Sequence, residues 1–188
     1  LNTLLPDKVN RPVKRAVRLI RQSMFGLAPH GHIAGRAALA YRSAMKLDLI
    51  DVFGSAPLKG NPLGVVHGGE GLSAEAMQEL TRWIGFSETT FLLPPTDPGA
   101  DYRVRIFTPS FELPFAGHPT LGSCHAWLAA GGVAKSAGRI VQQCGIGLVP
   151  IRREGGVLCF AAPPLLRSGP VEQGVIDEVA GVLGISPG

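Results

Sequence analysis

Between residues 74 and 84, Ala76, Met77, Leu80, Trp83 and Ile84 recur every three or four positions, the spacing of one helix face. Ser73 stands before this run as a helix N-cap, and Gly85 is placed to end it. Elsewhere the period shortens. Residues 46–53, 63–67 and 89–93 read as strands, the last closed by Pro94-Pro95. In 102–107, Arg103, Arg105 and Phe107 alternate with Val104 and Ile106, giving a strand with a polar face. Asn61-Pro62 reads as a turn. Strands follow at 140–143, 147–152 and 157–160, with Glu154-Gly155-Gly156 as a hairpin turn. A second helix, of small and apolar residues, is expected over 119–130 with Gly131-Gly132 as its stop, and a third over 175–183. Strands dominate without strict β-α-β alternation, so the fold class is α+β.

Composition narrows this picture. With 45% hydrophobic and 17% charged residues, the 188-residue chain supports one or two globular domains with a real core. No apolar run approaches the roughly 20 residues that a bilayer-crossing helix needs. Cys124, Cys144 and Cys159 are an odd set without metal-like spacing, which fits a reduced, cytoplasmic setting. The net charge of +4 is unevenly spread. Residues 1–44 hold eight basic groups and one acid (+7), whereas 45–188 hold ten and thirteen (−3). A nucleic-acid reading therefore rests on the N-terminal segment alone. Residues 13–24 there are compatible with a basic amphipathic helix, as in a targeting peptide, a membrane-surface helix or a nucleic-acid arm. The plainer expectation is a disordered leader over 1–44, with the globular part starting at Met45 and no nucleic-acid or membrane partner.

The chemistry gathers downstream. Residues 105–123 carry a strand, Thr108-Pro109, a short turn, and then Gly117-His118-Pro119-Thr120 at a helix start. Free backbone N–H groups at such a start suit a carboxylate or phosphate, and His118 sits at its mouth. The alternative is a structural histidine that caps the helix. Glu88, within Ser87-Glu88-Thr89-Thr90-Phe91, lies between a helix stop and an apolar strand. Partial desolvation there would lift its pKa toward that of a working general acid or base; an exposed edge-strand glutamate is the alternative. Asn61 either orients a substrate or simply forms a turn. Glu112 is either a second carboxylate near Glu88 or the partner of Arg103 or Arg105. His125 with Cys124 offers at most two metal ligands, and Ser123 lacks a nucleophile-elbow setting. There is no Walker loop and no nicotinamide or flavin fingerprint, so cofactor-free, metal-free chemistry is expected.

Five ordered motifs resemble the PhzF-like family, named for the phenazine-biosynthesis isomerase. They are Asp51-Val52-Phe53, Gly60-Asn61-Pro62-Leu63-Gly64-Val65-Val66, Ser87-Glu88-Thr89-Thr90-Phe91, Arg105-Ile106-Phe107-Thr108-Pro109 and the run from Glu112 to Thr120. The likeness covers residues 46–188 and nothing in 1–44. It implies the diaminopimelate-epimerase-like fold: two lobes, each a small barrel-like mixed sheet around a central helix, with the active site between them. On that basis residues 45–156 are the first lobe and 157–188 the start of a second, truncated one. The resemblance implies an isomerase that moves a proton between carbons of a small carboxylate metabolite like trans-2,3-dihydro-3-hydroxyanthranilate. Glu88 and His118 match its catalytic residues; Asn61, Gly117 and Thr120 are expected to bind substrate, and a homodimer is expected. Related epimerases and racemases place a catalytic cysteine where this chain has Ala116, which favours isomerase over epimerase. With its second lobe incomplete the chain is expected to turn over slowly or not at all, and an inactive lobe that only binds a ligand or partner is the other reading.

Overall fold

The computed structural model describes residues 16–20, 45–164 and 168–186. Among these, nine strands form one mixed sheet: β1 (Ala16–Ile20), β2 (Lys46–Gly54), β3 (Asn61–His67), β4 (Glu88–Leu93), β5 (Tyr102–Phe107), β6 (Glu112–Leu113), β7 (Arg139–Cys144), β8 (Gly147–Glu154) and β9 (Val157–Phe160). The spatial order is β1-β2-β3-β4-β5-β7-β8-β9, with the two-residue β6 paired to β5. β3 and β4 run parallel, as do β5 and β7, while the other neighbours are antiparallel. The helices are α1 (Ala74–Ile84), α2 (Gly117–Ala129) and α3 (Gln173–Leu183).

α2 explains the sheet's curvature. Pro119, Leu121, Gly122, Ser123, Cys124 and Ala126 are buried on it, the signature of a helix enclosed by protein. It lies against β2, β3, β4 and β9, within a core of Ile50, Val52, Leu63, Val65, Val104, Ile106 and Leu121. Gly122 makes the fit possible, since a Cβ there would stand 2.5 Å from Leu63 Cδ2. The outer face carries a second core of Val66, Met77, Phe91, Leu93 and Phe107 beneath α1. Phe91 and Phe107 meet edge to face at 5.6 Å. The expected α+β lobe, a half-barrel wrapped on a central helix, is thus the observed one.

Several expectations change in detail. Ser73 caps α1 through its hydroxyl, as expected, but Trp83 is 74% exposed and Met77 and Thr81 carry the buried face. Residues 16–20, which the sequence reading assigned to a disordered leader with a basic helix over 13–24 as the alternative, instead form β1 against the edge of β2. Ala-Val-Arg-Leu-Ile is rich in strand formers, and the free edge of β2 supplies backbone partners. The remainder of 1–44 lies outside the described residues. The sheet is not interrupted at residue 157, because β9 pairs with β8. Among the described residues, no helix is long and apolar enough to cross a membrane.

Asn61-Pro62 is not a turn but the start of β3, with Asn61 opposite Val52. The turn lies at 54–60 and is closed by Asp51, whose two carboxylate oxygens accept the N–H groups of Leu58 (2.9 Å) and Gly60 (2.8 Å). Phe53 and Leu58 adopt left-handed backbone there, with φ 66° and 62°, conformations that need such support.

Burial also sets an acid limit. His67, His118 and His125 each have a pKa below the ordinary 6.5, desolvation being the largest cause in all three. Asp48, fully buried and 2.9 Å from His67 Nε2, opposes this at His67. A histidine with a depressed folded pKa binds fewer protons folded than unfolded. Its contribution is complete above 6.5 and is lost as pH falls through that value toward the folded pKa. The urea midpoint is therefore expected to fall between about pH 8 and pH 5.5, and replacing the three histidines by Gln is expected to flatten that decline.

Candidate active site

The site is built where three elements begin. β3 and β4 are parallel, with Leu63 beside Glu88, so Asn61 and the Ser87-Glu88 pair reach the same sheet end. α2 points its N-terminus at that end. Ala116 is its extended N-cap, no side chain caps it, and its first turn has no acid. Pro119 has no N–H, and Thr120 N–H already binds Ala116 O, so the open donors are those of Gly117 and His118. The helix dipole adds positive character at this point.

His118 Nε2 lies 3.5 Å from Glu88 Oε2, with the side chains 9% and 18% exposed. The two atoms are close enough for an ion pair but make no hydrogen bond, and neither has another hydrogen-bond partner among the described residues. Two buried polar groups of opposite character therefore face one another with nothing satisfying them, which is costly unless a ligand completes the set. Desolvation keeps the His118 pKa below 6.5, although Glu88 and the Pro62 carbonyl pull it up, so the imidazole is neutral at pH 7.

Asn61 completes the cluster: its Nδ2 is 3.3 Å from His118 Nδ1, and its Oδ1 accepts from Ser87 Oγ at 3.5 Å. Asn61 is thus held between the imidazole and Ser87, at the same sheet end as Glu88. Gly117 lies against Phe160, and a Cβ would come within 3.1 Å of that ring. Phe160 packs edge to face on Phe115 at 5.5 Å, forming an aromatic wall that the sequence reading missed because it joins β9 to the loop before α2.

Thr120 is a correction. It is fully buried; its hydroxyl donates to Ala116 O at 2.9 Å and accepts from Gln142 at 3.0 Å. Two residues advance a helix by about 200°, so with His118 facing the site Thr120 faces the core. Gln142, in turn held by the Tyr102 hydroxyl (2.9 Å), anchors the helix start from within. Glu112 is not a second site carboxylate: it forms a bidentate pair with Arg105 at 2.7 and 2.6 Å. Cys124 is buried inside α2 with its thiol pKa pushed up to about 12 by burial, so it is no nucleophile. Among the described residues, no three His, Cys, Asp or Glu side chains cluster as metal ligands.

A mixed half-barrel around an apolar helix, with a carboxylate and an imidazole at that helix start, defines a lobe of the diaminopimelate-epimerase-like class. Residues 50–164 match the family described as phenazine biosynthesis-like protein, PhzC-PhzF, and the chain belongs to it. It is 42% identical over 121 residues to trans-2,3-dihydro-3-hydroxyanthranilate isomerase of Pseudomonas aeruginosa, covering 62% of this chain and 42% of the relative. It is 46% identical over 106 residues to antisense-enhancing sequence 1 of Schizosaccharomyces pombe, covering 56% and 36%. A crystal structure of the Bacillus anthracis phenazine biosynthesis protein of the PhzF family aligns with a TM-score of 0.51 at 34% identity, covering 56% of this chain and 34% of that one. The chain thus spans 36% and 42% of the length of these two curated relatives.

Proposed function

We propose that the protein is an isomerase in which Glu88 moves a proton between two carbons of a small carboxylate metabolite. The observation that carries this reading is the unpartnered, buried pair of Glu88 Oε2 and His118 Nε2 at the open start of α2. In the first half-step the Glu88 carboxylate takes a proton from a substrate carbon, and the C–H electrons pass into the adjoining unsaturated system. The negative charge that develops needs donors already in place. Gly117 N–H, His118 N–H and the imidazole are the groups available for it. In the second half-step the Glu88 carboxylic acid returns the proton to another carbon, so a double bond shifts and no net proton is gained or lost.

One feature supports isomerisation over epimerisation. Two-base racemisation by thiols needs a cysteine at the helix start, where this chain has Ala116. The isomerase from Pseudomonas aeruginosa gives a substrate to try first. The chain is incubated with trans-2,3-dihydro-3-hydroxyanthranilate and, separately, with L-amino acids and L-hydroxyproline. Isomer formation from the first with optical rotation unchanged in the others is expected. Racemisation of an amino acid with no isomer formed would overturn the reading.

A further inference from the structure

We propose that Asn61 is a positioning residue that sets the tautomer of His118, donating from Nδ2 to Nδ1 so that the ring hydrogen sits on Nε2 and points at Glu88. The orientation of the amide comes from both ends. At one end Ser87 Oγ donates to Oδ1; at the other, the Glu88 carboxylate facing Nε2 favours a hydrogen on that nitrogen, which leaves Nδ1 bare to accept from Nδ2. An NH2 group meeting Nδ1 requires that nitrogen to be a bare acceptor. A neutral imidazole has one hydrogen, which is then left to Nε2. Ser87 and Glu88 are neighbours in the chain, so the relay Ser87–Asn61–His118 closes on the carboxylate that it serves.

The consequence is a donor beside an acceptor, 3.5 Å apart and both unsatisfied. A substrate hydroxyl fits such a pair, because it accepts from Nε2–H while donating to Oε2. The opposite tautomer would place two acceptors face to face and bind the same group less well. One feature competes: the Pro62 carbonyl lies beside the ring and would take a hydrogen from Nδ1. The Asn61 amide and that carbonyl therefore favour opposite tautomers, which makes the assignment measurable.

This inference deepens the isomerase reading, yet its test reads the imidazole directly and does not pass through turnover. The chain is labelled with 15N, and the ring nitrogens are recorded by long-range 1H–15N correlation. The His118 signals are identified by their loss in His118→Gln. At neutral pH, Nδ1 is expected to resonate as an unprotonated nitrogen and Nε2 as a protonated one. Asn61→Asp presents an acceptor only. It is expected to move the hydrogen to Nδ1 and raise the titration midpoint of His118 by about 1–3 pH units. Asn61→Ala is expected to give a mixture of tautomers, and it serves alone if the aspartate variant does not fold by circular dichroism. A wild-type ring carrying its hydrogen on Nδ1, or variants that leave shifts and midpoint unchanged, would overturn the proposal.

Discussion

Replacing Glu88 by Gln is expected to lower isomerisation by about 10²–10⁴-fold with the fold intact. The carboxylate is the one side chain of the cluster placed to accept a proton, and Gln keeps its shape while removing that capacity. Stability should hardly move, because Glu88 Oε2 makes no hydrogen bond that the amide would break. Glu112→Gln is the control. It breaks the exposed pair with Arg105, costs about 0.2–1 kcal/mol, and leaves the rate unchanged. Equal losses in the two variants would mean that position 88 has no special role.

The largest structural effect is expected from Gly60→Ala. A Cβ at this position would lie 2.2 Å from the backbone oxygen of Val52 and 2.3 Å from Asp51 Oδ1. Neither neighbour can give way: the first is main chain, and the second is fixed by the Leu58 and Gly60 N–H groups. Forced displacement in a packed site costs about 3 kcal/mol, which lowers Tm on the order of 10 °C. Because Asn61 is the next residue, the His118 contact is lost with the loop and activity falls together with stability. A Gly60→Ala chain that melts like wild type would contradict the tight closure of this loop.

The physics of particular residues explains how much of this was legible in the sequence. α1 could be read because its signals are local: the Ser73 cap, the apolar spacing and Gly85 lie within one short segment. β5 and β9 were equally readable from alternation and turn residues. β1 was misread because its strand state depends on the edge of β2, some thirty residues downstream. Asn61-Pro62 was misplaced for a similar reason, since the Asp51 carboxylate, not the Pro, closes the turn.

The site divides in the same way. Glu88 and His118 could be nominated from their motifs, but that they face each other follows only from the parallel pairing of β3 with β4 and the seating of α2. Thr120 was nominated through the motif it shares with His118, yet helical geometry turns it inward. The Phe115–Phe160 wall was invisible, since it joins residues 45 positions apart.

The central claim, that Glu88 carries the proton from carbon to carbon, is tested most directly by isotope. Substrate is converted in D2O, and deuterium at the proton-accepting carbon is followed by NMR with wild type and Glu88→Gln. Incorporation is expected to need the wild-type carboxylate and to drop at least about 10²-fold in the variant. Incorporation at the same rate in both would contradict it.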